Sequence, residues 1–403
     1  PGKRVQNIPT TSAPADITVS TFQDYQFYEV DEHNLAKLGR RWFGDKFDIE
    51  NERSYEFEFP NLIPDEPIDI KVAVGAVAEL STSMTVSVNG NAIGTLGLNP
   101  ITAGSVLGSA SSLDQSISVA SDAVTVKLDY NNNGNPSAIG YLDYIILEAQ
   151  RDLRYEGEQL TFKNNIVNSN SGIAQYNISN AANVREIWDI TDRFNVSFLE
   201  NSDNSSDLTF KVAAGEERTY IAFSTSDVFQ PLIDARTTVA NQNLKGTIFN
   251  NAQGVFQDID YIIVTPSQLR GQAERLAQIN RDQYNLNVKV VELQTIYNEF
   301  SMGSQDIAGI RNFIKYVYDN ASSPNNRLKY LCLFGDGSYD YKDRISNNTN
   351  LVPSWYSNNS FNLTSSFVSD DFYGMMDGNE GTMTNSDRLD IAVGRILAEN
   401  PQR

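Results

Sequence analysis

Loop aspartates are the residues of this sequence best suited to chemistry. Asp336 and Asp340 follow the apolar run Tyr330-Leu331-Cys332-Leu333-Phe334. Asp370 and Asp371 stand in Ser369-Asp370-Asp371-Phe372-Tyr373-Gly374, with Asp377 close behind. Calcium collects several carboxylate and carbonyl oxygens in adaptable geometry, and aspartates spread over loops can supply them. Calcium at Asp336, Asp340, Asp370 and Asp371 is therefore one reading. The other is that each aspartate caps a turn by accepting backbone N–H groups. No further cofactor is required by the residue types present.

Nucleophiles are scarce. The chain has one cysteine, Cys332, and one histidine, His33. A reactive thiolate sits exposed beside a positive group, whereas Cys332 lies mid-run between Leu331 and Leu333 and reads as a small apolar filler. His33 falls in the polar stretch Asp31-Glu32-His33-Asn34 and is read as an ordinary loop residue. A lone thiol excludes an internal disulfide framework and a zinc site built from cysteines. There is no Gly-x-Ser-x-Gly elbow. Gly335-Asp336-Gly337-Ser338 lacks the lysine of a phosphate loop. With 31 basic against 51 acidic residues the net charge is -20, a field that repels nucleic acid and anionic lipid. No apolar run reaches the roughly 18 residues that would span a bilayer as a helix.

The elements that must position these residues fall into a β part and an α/β part, and a chain of 403 residues is too long for one core. Residues 1–48 are expected to be irregular; Gly39-Arg40-Arg41-Trp42-Phe43-Gly44 is read there as a linker whose aromatics dock on a neighbouring domain. Over 49–150 the pattern alternates, as in Tyr55-Glu56-Phe57-Glu58-Phe59 and Ile68-Asp69-Ile70-Lys71-Val72, which fits strands with one buried face. Asn89-Gly90 between two such runs predicts a two-residue hairpin. An antiparallel, jelly-roll-like sandwich follows, serving as scaffold or as a sugar-binding module. A second β-rich domain is expected over 151–255.

From 256 to 403 strands alternate with helices. Tyr261 to Val264, Val288 to Leu293, Leu328 to Phe334 and Leu389 to Ile396 read as buried strands. Thr265-Pro266 opens one helix with Leu269, Ala273, Leu276 and Ile279 on a common face. Ser304 is the expected cap of another, carrying Ile307, Ile310, Phe313, Ile314 and Val317. This order makes a parallel sheet. Ligands in such sheets sit beyond the carboxyl ends of the strands, where Asp336 must lie. The chain opens on Pro1 and closes at Arg403 directly after a strand, so both ends are expected to be internal to a longer protein and the α/β domain to be incomplete.

Four stretches resemble, in order, the gingipain-type C25 cysteine peptidases: Tyr330 to Tyr341 (YLCLFGDGSYDY), Val352-Pro353, Ser369 to Gly374 (SDDFYG) and Leu389 to Arg395 (LDIAVGR). The Tyr55 to Pro60 strand, the Val86 to Gly90 hairpin and Tyr141 to Leu147 before Arg151 are similar to the β region of the sortase-like members that act in bacterial type IX secretion. The resemblance implies a gingipain-like domain of caspase-haemoglobinase type and a peripheral enzyme on the outer face of the outer membrane. Such an enzyme removes the carboxyl-terminal sorting domain of secreted cargo and joins the new end to anionic lipopolysaccharide. It implies partners as well: a PorV-like outer-membrane barrel, other attachment-complex proteins and the cargo. The family's catalytic histidine and cysteine are expected beyond Arg403, so none is assigned here and this portion alone is expected to be inactive. The resemblance also strengthens the calcium reading without choosing ligands. Two rivals stand beside it: a gingipain-like secreted protease, and a non-enzymatic adaptor or glycan-binding protein.

Overall fold

Alternation over Ile68–Val77 buries Ile70, Val72 and Val74 completely, and in the computed structural model this strand lies inside a sheet rather than at its edge. The structure describes residues 4–64, 66–102, 104–233 and 241–402. They form two compact units: Pro1–Asp31, Phe43–Thr102 and Gly108–Ala235 in the first; Glu32–Trp42, Ala103–Leu107 and Arg236–Arg403 in the second.

The first unit contains the expected sandwich. One sheet orders Glu52–Glu58, Ala123–Asn131, Thr82–Val88 and Asn91–Leu98; the other orders Thr21–Glu29, Ile139–Asp152, Ile68–Val77 and Ser109–Ile117. Phe57, Val86, Val126 and Leu128 from the first sheet share one core with Ile70, Val72, Ile145 and Leu147 from the second. At the hairpin tip Asn89 and Gly90 take φ of 47° and 82°, the left-handed pair that a tight turn between twisted strands needs. A second pair of sheets in the same unit is built around Phe162, Tyr176, Phe210 and Tyr220.

Residues 1–48 are not irregular throughout. Gln6–Asn7 pairs parallel with Ser197–Glu200, and Ile17–Val19 pairs parallel with Ile173–Ile178. Thr21–Glu29 pairs antiparallel along Ile139–Asp152. This last strand escapes a periodicity reading because its inward positions mix Phe22, Asp24, Gln26 and Tyr28. Its outward Tyr25 and Phe27 are 52% and 59% exposed. Asp24 is tolerated there because Arg151 pairs with it at 2.6 Å.

The second unit carries β1 (Tyr261–Thr265), α1 (Arg270–Tyr284), β2 (Val288–Glu292), α2 (Leu293–Phe300), α3 (Ile307–Asp319) and β3 (Tyr330–Phe334). After them come the short antiparallel pair β4 (Trp355–Tyr356) and β5 (Val368–Ser369), then β6 (Ala392–Ile396). The sheet is parallel throughout, in the order β2-β1-β3-β6. Ile262, Val264, Leu331 and Leu333 pack on one side with Ile296, Ile310, Phe313 and Val317 from α2 and α3. Ile263, Cys332 and Phe334 pack on the other with Ala273 and Ala277 from α1.

Local details depart from expectation. Asp306, not Ser304, caps α3, its carboxylate accepting the Ala308 N–H at 2.8 Å. Thr265 ends β1 and caps nothing. Leu293 starts α2 instead of ending a strand. Ile279 is 49% exposed, so the buried face of α1 is narrower and made of small residues. The α/β core also begins before residue 256, since Ile248 and Phe249 are part of it.

Candidate functional site

The carboxyl edge of the parallel sheet is assembled around one guanidinium. Arg395 stands near the end of β6, its side chain 10% exposed. A buried guanidinium is tolerable only when its donors are satisfied, and here all three nitrogens donate. Its Nε donates to Asp370 Oδ2 at 2.7 Å and Nη2 to Asp370 Oδ1 at 2.7 Å, a bidentate pair. Nη1 donates to the carbonyls of Gly335 at 3.0 Å and Val352 at 2.7 Å. Nη2 also reaches Ser354 Oγ at 2.8 Å, and that hydroxyl donates to Asp370 Oδ1 at 2.9 Å. Burial works against the charge, but the hydrogen bonds and charge of Asp370 outweigh it, and the Arg395 pKa is raised. One side chain thus ties the turn after β3, the Val352-Pro353 element and the Ser369-to-Gly374 motif to the end of β6.

Tyrosines complete the arrangement. Tyr373 is fully buried and its hydroxyl donates to the Pro353 carbonyl at 2.5 Å. Burial holds its pKa well above the usual phenol range. Tyr356, also buried, is pushed up to about 12 by burial, Arg395 partly opposing the shift. Both are neutral at physiological pH: Tyr373 acts as a hydrogen-bond donor and Tyr356 as a buried wall, neither as a base.

The aspartates singled out in the sequence are distributed around this hub without converging on one point. Asp336 turns back on its own loop, accepting from Gly337 N at 2.9 Å and Thr349 Oγ1 at 2.8 Å. Asp340 is fully buried; its Oδ2 accepts the N–H groups of Arg344 and Ile345, both at 2.6 Å. Its Oδ1 has no hydrogen-bond partner in the structure. Asp370 belongs to Arg395, and Asp371 and Asp377 are exposed. Among the described residues no three carboxylate, imidazole or thiol groups gather as a metal cluster. Asp336 and Asp340 each accept hydrogen bonds within their own turns, and Asp370 pairs with a buried cation.

Cys332 is 4% exposed on the α1 side of β3. Burial pushes its thiol pKa up, against a smaller lowering from the Tyr261 hydroxyl and Arg395, the reverse of an activated nucleophile. The residue that sequence reasoning missed is Arg395. Its signal was present, since a charge inside the otherwise apolar Ile391-to-Ile396 run needs a partner, but nothing local says which carboxylate supplies it.

Residues 255–403 match the model of Peptidase family C25. Among solved structures, dimeric latent PorU from Porphyromonas gingivalis is similar at a TM-score of 0.77 and 23% identity, over 99% of this chain and 38% of that one. The chain thus spans less than two fifths of the PorU chain. The carbohydrate-binding module CBM36 in complex with calcium and xylotriose is similar at a TM-score of only 0.20 and 15% identity, over 30% of this chain and 98% of the module. That likeness bears on neither fold nor ligand. No curated protein matches this sequence. Residues 255–403 carry the pattern of the C25 peptidases, on a chain whose fold is that of the matching portion of PorU.

Proposed function

We propose that this chain is the β-rich part and the first portion of the catalytic domain of a sortase-like cysteine transpeptidase of type IX secretion. It would act on the outer face of the outer membrane, docked on a PorV-like barrel. The reaction removes the carboxyl-terminal sorting domain of cargo. A thiolate attacks the peptide carbonyl, the departing amine takes a proton from an imidazole, and the acyl group stays on sulfur as a thioester. An amine on anionic lipopolysaccharide then displaces the thiol. The thiol and imidazole are proposed to lie in sequence following residue 403. Cys332 is not the nucleophile, being buried with a raised pKa.

The observation that supports this reading best is the C25 match over 255–403, which falls on a parallel sheet whose carboxyl edge is locked by Arg395. The same match supports a secreted protease as the second reading. Product analysis with the longer protein separates them. Cargo carrying a sugar-amine adduct favours the sortase; free carboxyl ends favour the protease. A following sequence without a Gly-His-Gly and a cysteine would sink both and leave the adaptor. For calcium, a melting-temperature titration decides, since a ligand of the native state must raise it. A rise at millimolar calcium that Asp340→Asn abolishes would place the ion at the unpartnered Asp340 oxygen. An unchanged melting temperature would leave all four aspartates as structural groups.

A further inference from the structure

Residues 32–42, outside the segment that matches the C25 model, form a wall of the second unit. Trp42 is 3% exposed and stacks on Tyr339, ring centroids 6.0 Å apart, with Tyr341 edge-on at 6.4 Å. The main chain of Arg40 is fixed on both sides: its N–H donates to the Ser357 carbonyl at 2.9 Å, and its carbonyl accepts from the Tyr341 hydroxyl at 2.8 Å. Arg41 N–H donates to Ser360 Oγ at 2.7 Å. Gly39, at φ +74°, passes so close to Asn359 that a Cβ would lie 1.9 Å from its carbonyl oxygen. The Asn34 amide closes the turn, taking a hydrogen bond from Leu38 N and giving one to Gly39 O, both 3.1 Å. The segment is built in, not draped.

Beside it lies a cavity of about 320 Å³ lined by Arg40, Tyr341, Pro353, Ser354, Tyr356 and residues 305–307 at the start of α3. That is the small end of ligand pockets. Arg40 is exposed; its Nε donates to Asn358 Oδ1, and no described residue accepts from its two Nη atoms. A guanidinium anchored at Nε still offers its Nη pair to a planar two-oxygen acceptor. The one carboxylate in the lining, Asp306, caps α3 through the Ala308 N–H and offsets that helix end, which leaves Arg40 as the one cation of the lining.

We propose that this cavity binds a carboxylate and that Arg40 is the residue that recognises it. The carboxylate can be a chain end or an acidic side chain. The proposal stands apart from the sortase reading, because binding is measured directly and needs no thiol or imidazole.

The test is calorimetric titration of this chain at low salt with three peptides: N-acetyl-trialanine with a free carboxyl end, N-acetyl-Ala-Asp-Ala-amide and N-acetyl-trialanine-amide. At least one acidic peptide should bind about tenfold more tightly than the neutral one, and the better of the two identifies the source. Arg40→Gln should reduce it to the neutral level with an unchanged melting temperature, while Arg40→Lys should keep part of the preference. Gly39→Ala should weaken binding by displacing the wall; if it unfolds the unit, the two Arg40 variants still decide. Equal binding of neutral and acidic peptides, no binding at roughly 10 mM, or full binding by Arg40→Gln would each overturn the proposal.

Discussion

The core of the first sandwich and the carboxyl edge of the parallel sheet solve the same problem with different means. In the sandwich, Val72, Val86, Val126, Leu128 and Ile145 are fully buried in one apolar cluster. Attraction there is non-directional and spread over many contacts, so no single partner is indispensable. At the sheet edge, six hydrogen bonds converge on Arg395. They draw on three separate segments, at Gly335, at Val352 to Ser354 and at Asp370, and removing one partner leaves another buried and unsatisfied. The difference teaches that the sandwich should yield gradually to substitution and the edge abruptly.

The sharpest way to break that contrast is Arg395→Met. Stranding Asp370 should cost about 3–5 kcal/mol, read by chemical denaturation and by lost amide protection in β3 and β6. Arg395→Met combined with Asp370→Leu should cost clearly less than the single change, since no charge is left unpaired. A loss below about 1 kcal/mol for the single variant would mean that the hub is decorative. Leu128→Ala in the sandwich should cost about 3 kcal/mol through lost burial and a cavity. Its protection losses should stay close to the substituted strand.

A backbone effect comes next. Gly90→Ala meets no atom within 4 Å but must hold φ +82°, so it should cost about 1 kcal/mol from conformation alone.

The pH dependence of the second unit offers a subtler test. Glu299 accepts the N–H groups of Leu244 and Lys245 and the Gln242 amide. Burial opposes its charge, but these donors prevail and its pKa lies below the ordinary 4.5. A carboxylate lowered in the native state stabilises it above the unfolded pKa and loses that contribution as pH falls through the native value. The free energy of unfolding should therefore fall less steeply for Glu299→Gln than for the parent as pH drops from neutral to below 4.5. Smallest of all, Cys332 should not react with a thiol reagent in the native chain and should react fully in denaturant. Native labelling would place it outside the core.

Much of this architecture was legible in the residues. Alternation marked the sandwich strands, Asn89-Gly90 the hairpin, and the spacing of Ile310, Phe313, Ile314 and Val317 the buried face of α3. Thr21–Glu29 was hidden because an edge strand need not alternate, and its Asp24 is compensated by an arginine 127 positions away. The Ser304 cap was mistaken because several polar residues before α3 could cap it, and only the backbone path selects Asp306. At the candidate site, the loops were identified by type and position, but the roles within them were not. Asp370 was read as a calcium ligand or a turn cap, and its pairing with Arg395 was not foreseen.

The sequence by itself settled most strands and helices beyond residue 48 and most of the faces they bury, because period and turn chemistry are local properties. Its reading of Cys332 as a small apolar filler agrees with the buried position of that thiol. Tertiary structure alone decided that Asp370 meets Arg395 from 25 positions away and that Arg40 meets Asn358 from 318 away. The reason is physical: burial needs only the right kind of surface, whereas a directed hydrogen bond needs one particular atom in one place, and the chain's path alone brings that atom there.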